Sequence, residues 1–173
     1  MKYNRTYLRI FFVILAGIFV SLFPSPAKNP VPALRETAIV SYVIDGDTIK
    51  VLMNGREDTI RLIGIDAPET VDPNKPVQCF GKEASAKAKE ILDNKTIILE
   101  SDPTQGERDK YGRLLRYVFL QDGTNFDKFM ISEGFAYEYT YQNNHYKYVE
   151  EFKNAQDQAK ENKKGLWSYC LGR

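Results

Sequence analysis

The residues in this chain best suited to chemistry are carboxylates and guanidinium groups set at the turns and ends of short apolar runs. Asp45-Gly46-Asp47-Thr48 joins two such runs, Asp66 and Glu69 bracket the end of a third, and Arg61 stands inside that third run. Arg113 closes a separate polar stretch, Asp109-Lys110-Tyr111-Gly112-Arg113. Each feature alone has a plain structural explanation. Asp-Gly-Asp is a tight turn, Arg61 can pair with one acidic neighbour, and Arg113 can be a solvated arginine after a turn. Together they say more. Carboxylates gathered from two strands repel one another unless a cation lies between them. Oxygen donors without histidine suit a hard ion, Ca²⁺ or Mg²⁺, better than zinc. A guanidinium fork matches the equatorial oxygens of a phosphoryl group under attack, where negative charge accumulates.

These groups must be positioned by the surrounding elements. Ala38 to Ile44 and Thr48 to Met53 read as strands, and Asn54-Gly55 is the strongest hairpin signal in the chain. The hairpin returns the backbone into Asp58 to Ile65, and its arithmetic sets residue 47 roughly opposite residue 62. That register brings Asp47 toward Asp66. Pro68 ends the run because proline cannot continue a ladder. Residues 80 to 93 have helical composition, with Ala84, Ala88, Ile91 and Leu92 on one side. Thr96 to Glu100 and Arg113 to Leu120 read as further strands. A helix from about Asn125 to Glu133 closes at Gly134, and another from about Tyr146 to Asn162 stops before Gly165, with Leu166 and Trp167 folding back as an apolar lid. Five strands with interspersed helices predict an α+β domain built on a small closed sheet.

The ends of the chain read differently. Lys2, Arg5 and Arg9 precede a continuous apolar run, Ile10 to Phe23. Its length falls nearer the 7–15 residues of a signal-peptide core than the roughly 20 of a membrane span. Residues 1–27 are therefore expected to be a signal peptide or an N-terminal membrane anchor, which makes the protein exported, either secreted or held on the outer side of the cell membrane. Residues 28–36 read as a proline-rich linker, 37–169 as the folded domain and 170–173 as a tail. Removing residues 1–27 takes three basic residues from the 24 Lys and Arg, leaving 21 against 23 Asp and Glu. A slightly acidic domain does not coat nucleic acid by bulk charge, so a histone-like or basic-arm binder is excluded. Cys79 and Cys170 are the only cysteines, too few for a thiolate zinc cluster. In an exported protein a distant pair reads as a disulfide, two unpaired thiols being the alternative. His145 is the only histidine and lies in a Tyr/Asn-rich patch without a nucleophile motif, so it reads as a surface residue. No phosphate-cradling P-loop exists.

The runs IDGDTIKV, IRLIGIDAPET, FGKEASAKAKEIL, DKYGRLLRYV, EGFAYEYTY and the closing GLWS occur in the order found in the thermonuclease family, and over residues 38 to 168 the chain resembles that family. The resemblance implies a five-stranded OB-type β-barrel with three helices. It implies Ca²⁺ bound by the side chains of Asp47 and Asp66 and the carbonyl of Ala67, with Asp45 and Thr48 just behind them. Glu69 would orient or deprotonate the attacking water, and Arg61 and Arg113 would clamp the scissile phosphate. Lys110, Tyr111 and Tyr139 or Tyr141 would hold phosphate and base of a DNA or RNA substrate, single strands being favoured. The product would be a 3′-phosphate end, the cut showing little sequence preference because phosphate contacts carry no sequence information. The chain is expected to be a monomer. Ala67 stands where the family's best-known member has threonine; a carbonyl ligand survives that exchange and a hydroxyl contact does not. The alternative from another class is a non-catalytic OB-fold module that binds nucleic acid or protein. Such modules lose the acidic cluster or one arginine, and here all of these residues are present.

Overall fold

The computed structural model describes residues 33–70 and 76–170. The expectations for residues 1–27 lie outside them. Among the described residues no helix is long and apolar enough to cross a membrane.

The described residues open with β1 (Arg35–Asp45), β2 (Thr48–Met53) and β3 (Arg56–Leu62), three consecutive antiparallel strands. The second turn is tight because Asn54 and Gly55 both take positive φ, 52° and 75°, as a two-residue hairpin requires. A short β4 (Ile65–Asp66) follows, then α1 (Gly81–Leu92), β5 (Thr96–Glu100) and β6 (Leu114–Phe119). The chain ends with α2 (Phe126–Ser132), β7 (Tyr137–Glu138), a single 3₁₀ turn at Tyr141–Asn143, α3 (Val149–Glu161) and α4 (Leu166–Tyr169). Strands β1-β2-β3-β6-β5 close into a barrel, with β3 and β6 parallel and the other neighbours antiparallel. This is the five-stranded OB-type architecture expected, with α1, α2 and α3 as its main helices.

Apolar alternation along the strands fills the barrel: Val40, Ile49, Val51, Ile60, Ile97 and Leu99 are all essentially without exposed surface. The helices add Ala84, Ala88 and Leu92 from α1, Met130 and Ile131 from α2, and Phe152 from α3. Closure removes the exposed sheet edges that a short open sheet would present.

Three boundaries differ from the sequence expectation, each for a physical reason. Strand β1 takes in Arg35 and Glu36 from the expected linker, because Arg35 donates to the buried Glu100 at 2.7 Å. The run from Asp58 to Ile65 breaks after Leu62. Gly64 has φ +80°, and a Cβ there would lie 2.6 Å from the Tyr146 ring and 2.9 Å from Phe152. The break lets β4 leave the barrel and pair with β7 (Ile65 opposite Glu138, Asp66 opposite Tyr137). Finally, α3 begins at Val149 rather than Tyr146. The preceding residues are already committed: the Lys147 N–H donates to Asp102 at 2.8 Å, and the Lys147 ammonium and Tyr148 hydroxyl donate to Glu100 at 2.7 and 2.8 Å.

Asp127, in α2, is wholly buried and accepts only a 3.3 Å bond from the Val118 N–H, with its other oxygen unpartnered. Burial pushes its carboxyl well above the ordinary value, outweighing the Val118 N–H and the more distant Arg61 charge. The folded state therefore holds a proton that the unfolded chain releases at lower pH. Stability from this group is full below the unfolded carboxylate pKa and is lost as pH rises through the folded one. Asp127→Asn is expected to be more stable than the parent at neutral pH, with a flatter dependence. Urea unfolding at about pH 5 and about pH 8 checks this; a parent and variant with the same pH slope would refute it.

Candidate active site

Asp47 and Asp66, two of the acidic residues singled out in the sequence, come together where the β1–β2 turn meets β3 and β4. Thr48 is paired opposite Arg61 and the Leu62 N–H donates to the Asp47 carbonyl at 3.0 Å, as the hairpin arithmetic requires. Asp47 is buried, 8% exposed. One of its carboxylate oxygens accepts the Thr48 hydroxyl at 2.8 Å, and the other accepts the Ala67 N–H at 2.9 Å. The second oxygen also lies 3.3 Å from Nη2 of Arg61. The same Nη2 is 3.2 Å from Asp66 Oδ1. Asp47 and Asp66, 19 positions apart in a chain whose strands reverse between them, thus converge on one guanidinium nitrogen.

Arg61 is held from behind as well. Its Nη1 donates to the carbonyls of Leu62 and Ile65 at 2.6 and 2.8 Å. Its side chain is 13% exposed, so its position in an otherwise apolar strand is explained by these partners. Both the structural pairing foreseen for Arg61 and its placement beside the acidic cluster are therefore present.

Arg113 reaches the same place from the turn just before β6. Its Nε and Nη2 form a fork on Asp109 at 2.7 Å each, and its Nη1 donates to the Thr48 hydroxyl at 3.3 Å. Asp109 also accepts the N–H groups of Tyr111 and Arg113, which fixes the turn between them. Partial burial pushes the Asp109 carboxyl up, but the Arg113 side chain and these N–H groups outweigh it and hold the group below its usual range. Thr48 is thus the link between the two arginines: its oxygen donates to Asp47 and accepts from Arg113, while Asp47 faces Arg61.

Glu69 lies in the segment after β4. Asp45, also buried, accepts the Thr70 hydroxyl at 3.0 Å and the Thr70 N–H at 3.3 Å, tying the β1–β2 turn to the residue after Glu69. Burial pushes the Asp45 carboxyl up against the opposing bonds from Gly46 and Thr70. Gln78 holds the Glu69 backbone from the other side: its side-chain oxygen accepts the Glu69 N–H, and its own N–H donates to the Glu69 carbonyl, both at 2.9 Å.

Of the aromatic residues singled out, Tyr111 lies against this centre. Tyr111 is 72% exposed, with the Arg113 guanidinium 5.4 Å and the Lys110 ammonium 4.9 Å from its ring centroid. The Lys110 ammonium is pushed up by the neighbouring Tyr111 side chain, with Tyr141 a smaller contributor in the same direction. Tyr139 and Tyr141 are both exposed, their ring centroids 6.3 Å apart. They follow β7, whose pairing with β4 is extended by the Tyr139 N–H donating to the Gly64 carbonyl at 3.0 Å. His145 is exposed, as expected.

Sequence reasoning missed Asp109, Thr70 and Gln78 as partners of the cluster. Asp109 had a signal in its spacing of four from Arg113 across a glycine-containing turn. Gln78 had none, because its role depends on a chain reversal that no local pattern announces.

A barrel of this topology with such a cluster at the mouth of β1–β2 defines an OB-type domain carrying a carboxylate–arginine centre. A family model for staphylococcal nuclease homologues matches residues 59–169, and the chain belongs to that family. It is 46% identical over 136 residues to a thermonuclease of Staphylococcus hyicus, covering 79% of this chain and 78% of the relative. It is 41% identical over 140 residues to a thermonuclease of Staphylococcus intermedius, 81% of each chain. Over 126 residues it is 44% identical to endonuclease YncB of Bacillus subtilis, covering 72% of this chain and 58% of that longer protein.

The Asp109–Arg113 fork yields a direct check. In Asp109→Asn the Arg113 Nε–H loses its charged acceptor, and its hydrogen exchange, followed by NMR, is expected to speed up by about tenfold. Unchanged exchange would mean that Asp109 does not hold the guanidinium.

Proposed function

We propose that this protein is an exported nuclease that hydrolyses phosphodiester bonds of DNA and RNA at the Asp47–Arg61–Arg113 centre, with Ca²⁺ as its metal and 3′-phosphate ends as its product. The observation that carries the reading is the chain of contacts Arg61–Asp47–Thr48–Arg113. Two guanidinium groups repel one another, and this fold nonetheless delivers both to one spot, where an anion such as a phosphodiester would be bound.

The donors present fit a hard cation. Asp47 and Asp66 supply carboxylate oxygens already assembled around one positive charge, and no nitrogen or sulfur donor stands among them. Among the described residues no group of three or more His, Cys, Asp or Glu side chains is placed to hold a metal ion. The site therefore calls for a metal that accepts backbone carbonyl and water oxygens beside two carboxylates, as Ca²⁺ does with its six to eight oxygen ligands. The carbonyl of Ala67 is the third protein ligand in this reading. When bound, the ion lowers the cost of gathering charge at the phosphate and polarises it.

The chain's own groups do the rest. Arg61 and Arg113, each anchored on carboxylate or carbonyl oxygens, keep their forks fixed before substrate arrives, so little reorganisation accompanies the reaction. Glu69 takes a proton from a water molecule as the water oxygen bonds to phosphorus. The bond from phosphorus to the 5′ oxygen breaks, and that oxygen collects a proton from solvent. A free glutamate, with a pKa of about 4.3, is an adequate base only when held against its water, which makes the clamps on Glu69 part of the chemistry. Lys110 would pair with a flanking phosphate, and Tyr111 with Tyr139 or Tyr141 would stack on bases, a mode suited to single strands. Export is supported by the basic-then-apolar N-terminal sequence and by the Cys79–Cys170 disulfide, a bond that persists in oxidising surroundings.

Glu69→Gln and Arg113→Ala are each expected to lower turnover of single-stranded DNA by about 10²-fold or more with the fold intact by circular dichroism. Arg61→Lys is expected to do the same. The lysine is the cleaner test because alanine would strip the Leu62 and Ile65 carbonyls of their donor. Near-parental turnover in any of them removes that residue from the mechanism. Excess EGTA is expected to abolish cleavage and added Ca²⁺ to restore it; cleavage that persists in the chelator rules out the metal assignment.

A further inference from the structure

We propose that Gln78 is a positioning residue for Glu69 and that the Cys79–Cys170 disulfide is the anchor that keeps Gln78 in place. The proposal rests on reading Glu69 as the base.

Glu69 comes from a segment outside regular structure, after β4 has left the barrel, so no sheet ladder fixes its backbone. Beside the Asp45 bonds to Thr70, it is gripped by the paired contact from Gln78, which uses both the Glu69 N–H and the Glu69 carbonyl. Such a two-point grip sets direction as well as place. Gln78 is itself at an exposed position outside any helix or strand, where a single glutamine would hold little without a support of its own. That support is the next residue. Cys79 is bonded to Cys170, at the end of α4 and 91 positions away. Phe80 reinforces the joint, stacking on Phe135 at 5.6 Å and against Tyr169, the neighbour of Cys170, at 5.8 Å. On the other side, the Gly81 N–H donates to the Gln78 carbonyl at 3.1 Å. A Cβ on Gly81 would meet Thr70 at 2.6 Å and the Pro68 carbonyl at 2.9 Å, so α1 begins directly against the segment that carries Glu69. The C-terminal end of the domain thereby reaches the base through one covalent bond, one glutamine and two hydrogen bonds.

A misplaced base slows the chemical step without weakening substrate binding, so the tether is read in the split between kcat and KM. Gln78→Ala is expected to lower kcat on single-stranded DNA by about tenfold, with KM within about twofold of the parent. Gln78→Glu keeps an acceptor for the Glu69 N–H and is expected to recover kcat to within about twofold. Cys79→Ser/Cys170→Ser is expected to lower kcat in the same way, and combining it with Gln78→Ala to add little, since both act along one path. Hydrogen exchange of the Glu69 amide should rise in Gln78→Ala and in the double serine variant, and stay slow in Gln78→Glu. Unchanged kcat and exchange in Gln78→Ala, a rise in KM alone, or no rescue by Gln78→Glu overturns the role of Gln78. Fully additive losses, or a double serine variant that does not fold, overturn the role of the disulfide, because the bond then acts elsewhere or is a condition of the whole fold. Near-parental turnover in Glu69→Gln refutes the base reading by itself. The Glu69 amide exchange still decides whether the tether exists.

Discussion

A buried carboxylate needs partners, and Asp47 is the place where that need organises this molecule. Moving an ionised group out of water is costly unless hydrogen bonds and an opposite charge replace the lost solvation. Asp47 meets the requirement with the Thr48 hydroxyl on one oxygen and the Ala67 N–H and Arg61 on the other. Each partner comes from a different part of the chain. The Ala67 bond pins the segment after β4 to the β1–β2 turn, Arg61 ties in β3, and Thr48 hands the connection on to Arg113 at the start of β6. Satisfying one charge assembles the whole centre.

The same logic recurs wherever the fold must hold an irregular segment still. Asp45 grips Thr70, Asp109 grips Arg113 and the turn before it, and Glu100 with Asp102 grips the approach to α3. In each case a buried or half-buried carboxylate collects several donors, and the geometry is set by their number rather than by any one bond. The arginines are therefore fixed by protein partners, which is the preorganisation that the proposed phosphate-binding role requires. Asp127 is the exception. It is wholly buried with one 3.3 Å bond and an unpartnered oxygen, so burial pushes its carboxyl up.

The barrel's contribution is to leave one strand unfinished. Gly64 breaks the run after Leu62 because Tyr146 and Phe152 pack against it, and β4 then joins β7 instead of the barrel. That departure places Asp66 opposite Tyr137 and sets the Tyr139 N–H on the Gly64 carbonyl. Residues separated by more than seventy positions meet because a core tyrosine needed room.

The sequence by itself determined the strands and helices of the barrel, the hairpin register that sets Asp47 against Leu62, and the identity of the carboxylates and arginines that cluster. Those properties follow from local rules: apolar alternation, the Asn54-Gly55 turn, and the expense of an arginine inside an apolar strand. Tertiary structure alone decided the break at Gly64, the start of α3 at Val149, the fork of Asp109 on Arg113 and the grip of Gln78 on Glu69. It also decided that Cys79 and Cys170 are bonded, which residue types left open. The physical reason is common to them all. Each depends on which side chains and backbone groups remain to be satisfied once distant segments have packed, and no window of neighbouring residues contains that information.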